Sequence, residues 1–171
     1  MKKGIAILIA VLAVIGIIIG IISGSYNGLV NQQEEVENKQ SVISVQLQRR
    51  ADLIPNFVNT VKGYSDYEQK TYTAVTEARN AVAGAKTAGE QTKAAEQLDS
   101  AISVWVNAVT EAYPDLKANE NYKALQDELA GSENRIATAR KDYNDAAKAY
   151  NSSVRRFPKN IIAGMFGFEK V

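Results

Sequence analysis

The sequence predicts an all-α protein, with an N-terminal transmembrane helix followed by a helical bundle. Three observations carry this. Residues 4–22 form an apolar run without a charge or a proline. The remainder is rich in Ala, Gln, Glu, Lys and Asn, and lacks the alternating Val, Ile, Thr and aromatic residues of strands. Three prolines, Pro55, Pro114 and Pro158, punctuate long stretches whose apolar residues recur every three, four or seven positions.

As a helix rising 1.5 Å per residue, the run at 4–22 spans roughly 28 Å, close to the hydrocarbon thickness of a bilayer. Lys2 and Lys3 precede it, and the small residues Ser23, Gly24 and Ser25 follow. That pattern also suits a cleaved signal peptide, but the apolar part of a signal peptide is usually shorter. An uncleaved anchor over residues 1–25 is the favoured reading. Gly16, Gly20 and Gly24 repeat at four-residue spacing, a small-residue pattern that lets two membrane helices approach closely. The plainer reading is that glycine is common in such helices. The lysines before the span, and Glu34, Glu35 and Glu37 after it, orient a single-pass protein in the cell membrane. Its amino terminus is expected in the cytoplasm and its folded part outside.

Composition removes several functions. The chain has 171 residues, no cysteine and no histidine. Disulfides, thiol catalysis, histidine-based triads and histidine zinc sites are therefore excluded. Lys and Arg number 20 against 19 Asp and Glu. So even a balance argues against nucleic acid as a partner. The glycines at 84 and 89 precede no Lys-Ser or Lys-Thr pair, so no phosphate loop is present. No catalytic residue, cofactor or metal ligand is expected.

The first helix after the anchor is expected over 26–50, with Leu29, Val36 and Ile43 seven apart and Val30, Val42 and Leu47 beside them. Asp52 reads as an N-cap with Pro55 in the first turn, so the chain is expected to break there. A helix kinked at Pro55 is the alternative. The second helix is expected over 53–84, where Ile54, Val61, Val75 and Val82 extend the row that Leu47 begins. Glu68 interrupts that row and is placed at its rim. Residues 84–89 read as a loop. Leu98, Ile102, Trp105, Val109 and Ala112 form the seam of a third helix over 90–113. A fourth is expected over 119–156. It carries a row of large residues, Tyr122, Leu129, Ile136, Tyr143, Tyr150 and Phe157, beside a smaller row, Leu125, Ser132, Ala139, Ala146 and Ser153. Large beside small suits close packing.

Residues 158–171 form an apolar tail. Four helices running up and down would return it to the membrane. The candidate membrane-surface contact is Arg155, Arg156, Lys159, Ile161, Ile162, Met165, Phe166 and Phe168, with the cations toward anionic head groups. A tail folded onto the end of the bundle is the plainer reading. Arg49 and Arg50 are read as capping helix C-terminal carbonyls. Arg79, Arg135 and Arg140 are expected in structural ion pairs. The Tyr-Asn pairs at 143–144 and 150–151 are read as packing and hydrogen bonding.

Ser25-Tyr26-Asn27-x-Leu29-Val30, Val45-Gln46-Leu47-x-Arg49-Arg50-x-Asp52-Leu53-Ile54-Pro55-Asn56 and Val61-Lys62-Gly63-Tyr64 resemble the signature of the LemA family. So do Glu133-Asn134-Arg135-Ile136-Ala137, Tyr143-Asn144, Tyr150-Asn151 and Phe157-Pro158. The likeness runs in order from the anchor nearly to the end. Ser41 departs from it, where relatives often show tryptophan. The resemblance implies a bacterial membrane-anchored protein with an antiparallel four-helix bundle, and it supports a break at Asp52. It supplies no reaction. The expected function is a scaffold or protein-interaction module at the membrane, self-associating or binding other membrane proteins. The alternative is a protein that binds or remodels membrane lipid through its tail.

Overall fold

The computed structural model describes residues 2–62 and 69–171, with side chains over 4–60, 73–115 and 118–171. Among the described residues the fold is all-helical. The helices are α1 (Lys2–Lys62), α2 (Gln69–Gly84), α3 (Ala88–Ala112), α4 (Glu120–Arg155) and α5 (Lys159–Phe166), with a 3-10 turn at Pro114–Ala118. The chain divides into two compact units. One is Met1–Lys39 with Asp142–Val171, and the other is Gln40–Lys141.

The expected break at Asp52 does not occur. α1 runs through Pro55 to Lys62, so the separate helices expected over 26–50 and 53–84 are not formed as drawn. A mid-helix proline removes one hydrogen bond and costs about 3 kcal/mol. Packing outweighs it, because Ala51, Ile54, Phe57 and Val58 on either side are all buried. Each large apolar side chain so buried contributes about 1.5–3 kcal/mol. Asp52 is no cap; its Oδ1 accepts from Gln48 Nε2 at 2.9 Å within the helix. The link in sequence between α1 and α2, residues 63–68 with Tyr64 and Glu68, lies outside the described residues. The row that continues across this link is buried at Leu47, Ile54, Val75 and Val82.

α2 and α3 pack together across a link of only Ala85, Lys86 and Thr87. The loop expected at 84–89 is therefore shorter, and α3 starts at Ala88. A capping box explains the early start: Glu90 N–H donates to Thr87 Oγ1, and Thr87 N–H donates to Glu90 Oε2. Lys86 N–H donates to the same carboxylate at 2.9 Å. These donors hold the Glu90 carboxyl below the usual glutamate range.

In the unit Gln40–Lys141, Leu98, Ile102, Trp105 and Val109 are buried, whereas Ala112 is exposed at the end of α3. Phe57 of α1 meets Trp105 of α3 edge-on at 4.9 Å and Tyr122 of α4 at 5.1 Å. The Tyr122 hydroxyl lies 2.7 Å from Thr110 Oγ1, which gives the buried phenol a polar partner. Along α4 the large row is buried at Tyr122, Leu129, Ile136 and Tyr150, with Ser132 fully buried beside it. The row fails at Phe157, which is 77% exposed. α4 ends at Arg155, so the helical rotation that would carry Phe157 inward stops two residues short.

Candidate membrane-proximal site

α1 changes character along its length. From residue 4 to residue 21 every side chain is exposed, including Ile9 at 62% and Ile17 at 63%. Within the unit Met1–Lys39 and Asp142–Val171, burial begins about one turn later, at Ser25 and Leu29. Among the described residues, none covers the apolar run. Gly16 and Gly20 lie on it and Gly24 just beyond it, and a Cβ built at any of them meets nothing within 4 Å.

Where burial begins, the tail is folded onto α1. Leu29 and Val36 of α1, Tyr150 of α4, and Ile162 and Ala163 of α5 form one buried cluster, with Ile22, Tyr143, Ala146, Val154 and Phe168 packed against it. Burial and the Glu37 carboxylate both push the Tyr150 phenol above its usual range. Tyr26 meets Phe166 at 4.9 Å and Phe168 at 5.5 Å, both edge-on. Gly167 makes the reversal that puts Phe168 there. Its φ of 75° is left-handed, a conformation that costs other residues a Cβ clash. The N–H groups of Gly167 and Phe168 both donate to Ala163 O. The end of the segment is held by Asn151, whose Nδ2 donates to Val171 O at 2.9 Å while Oδ1 accepts from Val171 N–H at 3.1 Å. Asn151 thus belongs to hydrogen bonding and Tyr150 to packing.

The eight candidate surface residues separate. Ile162 is 5% exposed and faces the core, and Phe168 is half-buried. Ile161, Met165 and Phe166 are more than half exposed. Arg155 and Arg156 are exposed; Arg155 Nε donates to Asn151 O at 3.2 Å. Lys159 is half-buried, and a Cβ at Gly28 would stand 3.5 Å from its Nζ. Phe157, expected in the core row, instead joins the exposed set.

A second cluster lies in the unit Gln40–Lys141. Arg50 sits in mid-helix, 4% exposed, and does not cap a helix end. Its Nη1 is 2.6 Å from Asp99 Oδ1 and its Nη2 3.9 Å from Glu133 Oε2. Burial pushes the Asp99 carboxyl above its usual range, against the pull of Arg50. Arg140 also acts on Asp99, and Arg135 pairs with Glu128. The signal for Arg50 was present in the sequence: it continues the buried positions Ile43 and Leu47 at helical spacing. Beside α2 and α3 lies an open groove of about 740 Å³ holding Glu77, Lys93, Glu96 and Ser100 among alanines. Among the described residues, no group of three or more Asp or Glu side chains is placed to hold a metal ion.

The chain is similar in sequence to several known proteins. Protein LemA of Metamycoplasma hominis is 30% identical over 140 residues, covering 80% of this chain and 63% of that protein. Magnetosome protein MamQ 2 of Paramagnetospirillum magneticum is 28% identical over 169 residues, covering 84% of this chain and 62% of that protein. Magnetosome protein MamQ of Magnetospirillum gryphiswaldense is 24% identical over 170 residues, covering 85% and 62%. The chain thus spans less than two thirds of the length of these relatives. Residues 39–171 match the LemA family over most of the chain, and the protein belongs to that family.

Proposed function

We propose that this protein is a membrane-anchored interaction module of the bacterial cell membrane, binding other membrane proteins and copies of itself. One observation carries the reading. The first turns of α1 are apolar and wholly uncovered, and the same helix continues into the folded part. Lipid and a partner helix are the surroundings that suit such a surface. Gly16, Gly20 and Gly24 supply the face for close approach. Beyond the span, the rest of α1 with α2, α3 and α4 forms an antiparallel four-helix bundle held outside the cytoplasm, with the amino terminus inside. No reaction, cofactor or nucleic acid enters this reading. The names of the relatives, LemA and magnetosome protein MamQ, denote no reaction either.

Crosslinking in native membranes tests it. A ladder of self-adducts, lost on replacing Gly16 and Gly20 with leucine, is the expected result. A single species in both the wild type and the variant contradicts self-association, and a single different membrane protein attached would make this an adaptor. The second reading, lipid engagement by the tail, is favoured by the exposure of Ile161, Met165 and Phe166.

A further inference from the structure

We infer that α5, while docked on α1, is a second membrane contact: its outer face rests on the bilayer surface beside the emerging span. The inference builds on the reading of residues 4–22 as the span and names the occupant of the tail's exposed face.

Three observations converge within the unit Met1–Lys39 and Asp142–Val171. First, α5 uses only part of its apolar surface for docking. Ile162 and Ala163 are buried against the Leu29 cluster. Ile161 and Met165, one turn apart, remain 52% and 66% exposed, and Phe166 is 52% exposed. Second, this leftover surface adjoins the span. Tyr26, about one turn beyond residue 22, holds Phe166 and Phe168. A tyrosine just past a hydrophobic span occupies the head-group level, so the side chains packed on it share that level. Third, the surroundings are cationic. Arg155 and Arg156 precede α5, Lys159 begins it and Lys170 follows, against one carboxylate, Glu169. Apolar residues flanked by cations fit an interface carrying anionic head groups.

The segment is also fixed in place. The paired hydrogen bonds of Asn151 to Val171 and the left-handed turn at Gly167 hold it at both ends of its fold. Contact therefore needs no undocking. A fixed apolar face beside the span would set how deeply α1 enters the bilayer.

The chain contains no cysteine, so one introduced cysteine is a unique labelling site. Full-length Met165→Cys, Ile15→Cys and Val104→Cys are labelled with a nitroxide and reconstituted in vesicles of phosphatidylethanolamine and phosphatidylglycerol. All three positions are exposed in the fold. Collision with oxygen reports an apolar setting, and collision with a water-soluble nickel chelate reports water. The expected oxygen-to-nickel ratio at Met165 and Ile15 is several-fold above that at Val104. A protected Ile15 with Met165 matching Val104 overturns the α5 contact and leaves the span intact. A water-exposed Ile15 overturns the span and the inference together.

Discussion

Tyr26 of α1 meets Phe166 of α5 edge-on at 4.9 Å. The two residues are far apart in sequence, yet this contact joins the tail to the turn at which α1 leaves its apolar run. An edge-to-face pair contributes about 0.5–1.5 kcal/mol beyond its buried area, and Tyr26 makes a second such pair with Phe168. Tyr26→Ala is therefore expected to destabilise the tail by about 1–2 kcal/mol, read as faster hydrogen exchange in α5. Tyr26→Phe keeps both rings and is expected to leave that exchange unchanged.

Gly167 gives a sharper test of the same segment. Its left-handed conformation penalises a Cβ by about 1–2 kcal/mol, so Gly167→Ala is expected to lower the thermal midpoint. Gly164 lies inside α5 with open space at its Cβ position. Gly164→Ala is expected to stabilise by up to about 1 kcal/mol. Opposite signs from two alanines three residues apart would locate the effect in backbone conformation.

Pro55 tests the continuity of α1. With the proline removed, the carbonyl of Ala51 regains a donor. Pro55→Ala is expected to stabilise by up to about 3 kcal/mol and to raise helicity by circular dichroism. A chain broken at Asp52 would instead lose an N-terminal proline and be unaffected or weakened.

The continuity of α1 through Asp52 and Pro55 has a specific cause. Asp52 and Pro55 form a good local start signal, but the burial of Ala51, Ile54, Phe57 and Val58 is a tertiary term that local pattern does not weigh. Thr87 and Glu90 spelled the start of α3 and were obscured by the glycines at 84 and 89. The seven-residue row from Tyr122 to Tyr150 was legible because one amphipathic helix carries it whole. In the tail, the apolar character of residues 158–171 was legible, but its inward and outward faces were not. Ile162 turned inward and Phe157 outward because α4 stops at Arg155, and the sequence gives no angle for the restart at Lys159.

The buried Arg50 predicts a large, asymmetric effect. Arg50→Met removes the guanidinium that stands 2.6 Å from Asp99 and 3.9 Å from Glu133. Removing one partner of a buried pair costs about 3–5 kcal/mol. Asp99 is 34% exposed at its side chain, so the low end of that range is expected by chemical denaturation. Adding Asp99→Asn to Arg50→Met should recover part of the loss, and no recovery would separate the two residues energetically.

Acid should weaken the start of α3. The Glu90 carboxyl is held low in the fold by the Lys86 and Thr87 N–H groups. Its contribution is complete above the usual glutamate range and is lost as pH falls through the lower folded value. The stability gap between wild type and Glu90→Gln is therefore expected to shrink on acidification from neutral pH. Asp99 runs the other way. Burial raises its pKa, so its contribution is present below the usual aspartate range and fades as pH rises through the higher folded value. Thr87→Ala, which removes the cap oxygen, is expected to cost about 1 kcal/mol.

We propose that residues 4–22 cross the membrane. Alkaline carbonate extraction of native membranes tests it most directly. The full-length protein is expected to stay with the membrane pellet, and a chain lacking residues 4–22 to move to the supernatant. Release of the full-length protein by carbonate would contradict the account.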